Sequence, residues 1–450
     1  AALPGAASNL MRFLSQRAPT LAAAAARAQL GRSQSAFEHF MEGVLKRDDW
    51  MKALESDAKL CGYLLEIFSH SPYFAEQLMR QPEYFEELRT MRARGDSYTP
   101  HGGVVPLLDD AAEIRRFFLR QMFRLQAESI CLQRPVFETL ERISRLADAA
   151  IGACYRLAAS QALERWEEGA PGLMVIALGR LGMQEFDLGS DADLLFVLPD
   201  ELAGELPVWM KVAERLAGIL SSYTGDGMMF AVDTRLCPNG RAGRLVQTES
   251  AYREYFGRTA EAWEGIAYMK TRAVAGDLDR ATSFLAEVQK IDWRRYGQNG
   301  RSRAQIRQMR LRLEKELGAQ NPLKTAAGGF YDIDFALMYL RLRGAGMFFK
   351  VLNTPERIEV IEQMGHLEPN DARFLLDAAT FYRAVDHGLR LISGHTEGSL
   401  PNSAPQLEML TRLVERWVPP HLCDQPLPLE LEQIRGRTRE YFERLFAETR

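Results

Sequence analysis

Ala177-Leu-Gly-Arg-Leu-Gly-Met-Gln-Glu-Phe-Asp-Leu-Gly-Ser-Asp-Ala-Asp-Leu-Leu-Phe196 is the stretch on which the reading of this chain turns. It begins as one apolar run, Leu173-Met-Val-Ile-Ala-Leu178, comes to an end, and it closes inside another, Asp193-Leu-Leu-Phe-Val-Leu198, which Pro199 stops. Short apolar runs bounded by Pro171-Gly172 and by glycines predict strands. Apolar spacing between Pro207 and Tyr223 predicts a helix, and Met228-Met-Phe-Ala-Val-Asp-Thr-Arg-Leu236 returns to strand character. The order is therefore strand, strand, helix, strand.

On either side the texture is helical. From residue 5 to about 92 apolar residues recur three or four apart, as in Ser35-Ala-Phe-Glu-His-Phe-Met-Glu-Gly-Val-Leu, which predicts several helices. Arg94-Gly-Asp-Ser-Tyr-Thr-Pro-His-Gly-Gly103 gathers breakers and reads as a loop or linker. Two or more helices are expected from about 109 to 168. From about Glu249 the helical pattern is expected to run to Arg450, with breaks near Gly297 to Gly300 and at Ala326-Ala-Gly-Gly329. The expected fold is α+β and mostly α: a small mixed β-sheet core over 169–290 between helical domains at 1–168 and 291–450.

The 450 residues are 46% hydrophobic and 26% charged with a formal charge of -4. That balance lacks the basic excess that holds nucleic acid by its phosphates. Five cysteines lie scattered without Cys-x-x-Cys spacing, which predicts neither a zinc site nor a disulfide framework and fits the cytoplasm. No apolar run reaches the roughly 18 residues of a membrane span. The chain opens on Ala1 rather than Met, so a piece of a longer polypeptide is expected.

Side chains at i and i+2 of a strand leave one face, so Asp191 and Asp193 project together if the chain is extended from Ser190. Paired carboxylates repel unless a cation sits between them, and magnesium binds through one or two carboxylates plus substrate phosphates. Asp233, in the later strand, completes the set if that strand lies beside the first. Two metals roughly 4 Å apart then serve both attacking and leaving oxygens of an in-line phosphoryl displacement. An isolated Asp-x-Asp is more often a solvated strand end or a turn. The neighbourhood decides against that: Gly179-Arg-Leu-Gly182 lies upstream and Gly189-Ser190 immediately before Asp191, so backbone can approach phosphate oxygens and Ser190 can donate its hydroxyl. A dinucleotide fingerprint is the competitor, but Ala177 stands where its first glycine belongs.

The quoted stretch resembles the active-site segment of DNA polymerase β-like nucleotidyltransferases, and more narrowly that of the glutamine synthetase adenylyltransferase family. Also similar to that family are Val232-Asp-Thr-Arg-Leu-Cys-Pro-Asn-Gly-Arg-Ala-Gly-Arg-Leu-Val246, Ala262-Trp-Glu-Gly-Ile-Ala-Tyr-Met-Lys-Thr-Arg272 with Gly276-Asp277, Gly328-Gly-Phe-Tyr-Asp-Ile-Asp-Phe335 and the helical Phe68-Ser-His-Ser-Pro-Tyr-Phe-Ala-Glu-Gln-Leu-Met-Arg-Gln-Pro82. The resemblance implies transfer of AMP from ATP to a tyrosine hydroxyl of glutamine synthetase, with Mg2+ or Mn2+ on Asp191, Asp193 and Asp233. It places Gly179, Arg180, Gly182, Gly189, Ser190, Arg235, Lys270 and Arg272 at the nucleotide, and a PII-type signal protein as a further partner. Family members often carry two such halves, one adding AMP and one removing it by phosphorolysis. This chain resembles one half, and the Phe37-Glu-His-Phe lead-in with Gly189-Ser-Asp-Ala-Asp looks more like the adenylylating one. A non-catalytic interaction module of the same fold is the rival from another class.

Three positions depart from the family: Met183 for a small residue, Cys237 for arginine and Asp334 for glutamate. The basic stretch from Arg294 to Lys315 reads equally as a solvated helix or a phosphate-attracting face. Asp332 and Asp334 are either part of a family motif or helix caps. The seven histidines form no metal or nucleophile pattern, and His387 and His395 are expected at the surface or at helix ends.

Overall fold

The computed structural model describes residues 9–447 apart from 29, 95–107, 168, 239, 241–242, 298–299 and 345–352. The expected 94–103 linker, past Arg94, and part of the 297–300 break lie outside the described residues.

The N-terminal part is all helical, as its periodicity predicts: α1 (Asn9–Arg17), α2 (Pro19–Arg27), α3 (Gln34–Val44), α4 (Asp48–Ser56), α5 (Ala58–His70), α6 (Pro72–Arg80) and α7 (Phe85–Arg94). Two long helices follow, α8 (Ala111–Leu132) and α9 (Val136–Ala162). Asp57 caps α5 by accepting from the Lys59 and Leu60 N–H groups, and Asp110 caps α8 through Ala112 and Glu113. Each capping carboxylate satisfies donors that a helix start leaves orphaned.

The α/β unit follows in the order β1 (Met174–Ala177), α10 (Gly179–Gly182), β2 (Ala192–Leu198), α11 (Leu206–Ser221), β3 (Val232–Asp233), β4 (Val246–Thr248), α12 (Glu249–Arg258), α13 (Ala262–Tyr268), β5 (Arg272–Gly276) and α14 (Leu278–Asp292). β1 is antiparallel to both β2 and β5. β2 carries two parallel partners along its length, β3 at residues 192–193 and β4 at 196–198. The sheet is thus mixed.

Three strands differ from the sequence expectation. β4 and β5 fall at and beyond the point where the pattern reads as helical. In Arg272-Ala-Val-Ala-Gly276 only the valine favours strand, so pairing with β1 rather than local propensity imposes the extended form. The third expected strand shortens to Val232 and Asp233, where it meets β2.

The C-terminal part is α15 (Gly300–Leu317), α16 (Phe330–Gly344), α17 (Thr354–Gln363), α18 (Pro369–Ser393), α19 (Ala404–Val414) and α20 (Leu427–Phe446). Central strands read as continuous apolar runs because both faces are covered. Val175, Ala177, Leu194, Phe196 and Leu198 join one large core shared with the N- and C-terminal helices. Met174, Ile176, Leu195 and Val197 point the other way, into a smaller core with Tyr252, Phe256, Phe284 and Val288 of α12 and α14.

Phe196 is fully buried, whereas Leu429 is 52% exposed. Phe196→Ala is expected to lower stability by about 3–5 kcal/mol and Leu429→Ala by less than about 0.5 kcal/mol, read from urea unfolding curves.

Candidate active site

The segment from Leu178 to Asp191 leaves β1, forms the single turn of α10 and returns to β2. The Leu178 N–H donates to the Asp193 carbonyl at 2.9 Å, closing the loop at its base. Gly179 sits at φ +55°, and a Cβ there would stand 2.2 Å from Asp193 Oδ2. Any side chain at 179 would displace that carboxylate. Gly182 backs onto the Lys270 carbonyl oxygen, which a Cβ would meet at 1.8 Å. Both glycines therefore let backbone and side chains from three segments converge.

β3 lies parallel beside β2 with Asp193 opposite Asp233, the pairing that the sequence required for the two carboxylates to meet. Asp191 precedes β2 and is exposed. Burial pushes the Asp193 carboxyl up to about 6, Asp233 and Asp191 add to the rise, and the charges of Lys324 and Lys270 oppose it. Asp233 accepts from the exposed Arg235, whose Nε lies 2.9 Å from both carboxylate oxygens. Among the described residues no group of three or more His, Cys, Asp or Glu has the spacing of a metal site. The donor chemistry nevertheless suits a hard divalent cation: three carboxylates in one another's field, one of them raised by burial and by the other two, beside a loop in which glycines leave room.

The other nucleotide candidates are placed as follows. Lys270 is ion-paired with Asp334 of α16. Arg272 makes a two-pronged contact with Asp148 of α9, at 2.6 and 2.9 Å, and donates to the Leu181 carbonyl at 3.0 Å. Arg180 donates to the Glu185 carbonyl at 2.8 Å and pairs with Asp386 of α18. Ser190 Oγ accepts from Arg390 at 3.1 Å, and the Gly189 carbonyl accepts from Thr396 Oγ1 at 3.4 Å. Arg235, Lys270 and Arg272 thus approach from the core, while Arg180 and Ser190 are tied to α18.

Beneath the loop lies a polar network that sequence reasoning missed. Asp187 is fully buried and accepts from Gln126 Nε2 at 3.1 Å, the Leu188 N–H at 2.7 Å and His387 Nδ1 at 2.9 Å. Burial alone would raise its carboxyl, but His387, Arg390 and Arg180 outweigh it and hold it at about 2. Glu185, also fully buried, accepts from the Thr354 N–H at 2.7 Å and from Arg383 Nε at 2.8 Å. The only sequence signal was two carboxylates inside an otherwise apolar, glycine-rich stretch.

His387 corrects the expectation of a surface histidine. It is fully buried in the C-terminal half of α18, packs edge-on against Trp417 at 4.8 Å, and its Nε2 lies 3.0 Å from Ser129 Oγ. Ser129, His387 and Asp187 form a serine–histidine–carboxylate chain, but all three have no solvent exposure. The chain fastens α8, α18 and the loop together and is not open to a substrate. His395, by contrast, is exposed beyond the end of α18.

The departures also find places. Met183 is buried with its sulfur 3.0 Å from Arg357, so its bulk is taken up by the core. Cys237 packs into the smaller core, its thiol 3.3 Å from the Gly240 carbonyl. Asp332 accepts from the Gly328 N–H at 2.8 Å at the start of α16 and pairs with the fully buried Arg310 at 2.6 Å, a structural role. Asp334 faces Lys270 instead.

A family model described as glutamate-ammonia ligase adenylyltransferase matches residues 61–287, half of the chain, including Asp191, Asp193 and Asp233. The chain belongs to the glutamate-ammonia ligase adenylyltransferase family. A model described as GlnD PII-uridylyltransferase matches residues 300–445 of this adenylyltransferase-family chain. It is 27% identical over 419 residues to the bifunctional glutamine synthetase adenylyltransferase/adenylyl-removing enzyme of Thioalkalivibrio sulfidiphilus, covering 84% of this chain and 43% of that protein. It is 27% identical over 453 residues to the enzyme of the same name from Nitrosococcus oceani, covering 90% of this chain and 45% of that one. The chain thus spans less than half the length of these relatives. Among the described residues no helix is long and apolar enough to cross a membrane.

Two outcomes follow from the electrostatics. An unfolded aspartate titrates at about 3.9, so the folded state holds the Asp193 proton more tightly and stability falls as pH rises from about 4 to about 6. In chelator-containing buffer at pH 8, Asp193→Asn is expected to be more stable than the parent by on the order of 1–3 kcal/mol, an advantage that vanishes below about pH 4. Thermal unfolding across that range measures it. His387→Ala removes the imidazole that bridges Asp187 Oδ2 and the Ser129 hydroxyl and is expected to cost about 2–4 kcal/mol, against about 1 kcal/mol for Ser129→Ala.

Proposed function

We propose that this chain transfers AMP from ATP, with Mg2+ or Mn2+, to a tyrosine hydroxyl of glutamine synthetase, as one catalytic half of a longer two-activity polypeptide. The observation that carries the reading is the side-by-side register of Asp193 and Asp233, with Asp191 two residues ahead at the end of a glycine-bearing loop. Membership of the adenylyltransferase family and the names of the relatives support the target. The proposed division keeps catalysis in 169–290, with helical domains at 1–168 and 291–450 free to meet the synthetase and a PII-type signal protein. The match of 300–445 to a PII-uridylyltransferase model supports the second contact.

In this mechanism bound divalent cations would neutralise the triphosphate and the growing charge on the leaving group. Asp191, Asp193 and Asp233 are the residues that would hold them. An Asp233 carboxylate oxygen takes the phenolic proton as the tyrosyl oxygen bonds to the α-phosphorus. The bond from that phosphorus to the bridging oxygen breaks opposite, and its electron pair leaves with pyrophosphate. The remaining residues position: Gly179 and Gly182 give room, Ser190 offers a hydroxyl, and Arg235 can exchange Asp233 for a phosphate oxygen.

Removal of AMP by phosphorolysis is the second reading, favoured by the adenylyl-removing activity in the relatives' names. Incubation with glutamine synthetase, magnesium and α-labelled ATP separates the two. Labelled synthetase is expected, with Asp191→Asn and Asp193→Asn each slowing transfer by about 10²–10³-fold. No label, together with ADP released from modified synthetase and inorganic phosphate, would reverse the direction.

A further inference from the structure

Between α15 and α16, residues 318–329 form a loop that the fold holds with unusual firmness. Arg310 is fully buried, and its guanidinium donates to the Thr325 carbonyl at 3.1 Å and the Ala326 carbonyl at 2.8 Å. Thr325 Oγ1 donates back to Leu317 and Asn321 carbonyls, each at 2.9 Å. The Leu323 N–H donates to Gly398 at 3.0 Å, and the Phe330 N–H donates to Leu323 at 3.0 Å. Leu323 and Thr325 are buried, while Lys324 between them is exposed.

A buried arginine committed to two carbonyls fixes where that lysine stands. The Lys324 N–H donates to Asn321, and its carbonyl accepts from Tyr331 at 2.9 Å. Its ammonium lies 5.1 Å from the Tyr331 ring centroid, and among the described residues it forms no ion pair.

Two links bring the loop to the catalytic face. Residues 394–398 touch both sides: Thr396 donates to the Gly189 carbonyl, and Gly398 accepts from Leu323. On the other side, α16 begins where the loop ends, and its Asp334 pairs with Lys270, whose carbonyl abuts Gly182. The charge of Lys324 is accordingly felt at Asp193. Unlike Lys270, Arg272 and Arg180, which carboxylates already engage, Lys324 is an exposed cation whose charge acts on Asp193 and that forms no ion pair among the described residues.

We propose that Lys324, delivered by the C-terminal helical region, binds the β- and γ-phosphates of the nucleotide and offsets the charge that appears on departing pyrophosphate. This rests on the AMP-transfer reading above. A lysine ammonium acts as a point charge with three rotatable donors, which suits a polyphosphate that changes shape as it leaves. The site is thereby closed by a residue outside the sheet that carries the aspartates.

The test is calorimetric binding of ATP and of AMP, each with magnesium, to the full chain and to Lys324→Met and Lys324→Arg. Lys324→Met is expected to weaken ATP by about tenfold, leave AMP and the unfolding temperature unchanged, and be largely restored by arginine. Unchanged ATP affinity in Lys324→Met, or equal loss of ATP and AMP, overturns the proposal. Absence of ATP binding by the parent chain would instead overturn the functional reading on which it rests.

Discussion

Taking a carboxylate out of water costs several kcal/mol unless charges and donors replace the lost hydration. Asp187 meets that condition with Gln126 from α8, the Leu188 N–H, and His387 from α18, while Arg180 and Arg390 stand 3.9 and 4.0 Å away. Each partner comes from a different part of the chain, so the loop between β1 and β2 is positioned only when both helical regions are docked. Glu185 repeats the device two residues earlier, through Thr354 and Arg383. The loop that frames Asp191 and Asp193 is therefore a product of the whole molecule.

Above that anchor the charges are deliberately unbalanced. Below the loop Asp187 and Glu185 are matched by cations, whereas at Asp193 burial raises the carboxyl and Asp233 and Asp191 add to the rise. Strongly perturbed groups in a partly open setting are where chemistry concentrates. Here the perturbation has a plain cause, and a divalent cation with a polyphosphate would relieve it. Arg235 on Asp233 is exposed and joined to it by a short, local turn, so exchanging partners requires little of the fold.

Much of this was legible in the sequence. The apolar runs at 173–178 and 193–198 marked the two central strands, and Asp193 and Asp233 did fall in adjacent strands. The helical regions followed from periodicity. β5 was not legible, because in Arg272-Ala-Val-Ala-Gly276 only the valine favours a strand and the extended form comes from pairing with β1. His387 was not legible either: a histidine beside an aspartate in a helix looks solvated until Asp187 and Ser129, 200 and 258 residues away in sequence, close on it. Long-range pairing of buried polar groups leaves no periodic trace.

The central claim is that Asp193 and Asp233 jointly create a divalent-cation site for a nucleotide in a member of the adenylyltransferase family. Water-proton relaxation by Mn2+ in the presence of ATP reads the formation of such a ternary complex directly. The parent chain should show strong enhancement, and Asp193→Asn and Asp233→Asn should each abolish it while remaining folded. Enhancement undiminished in both folded variants would contradict the account.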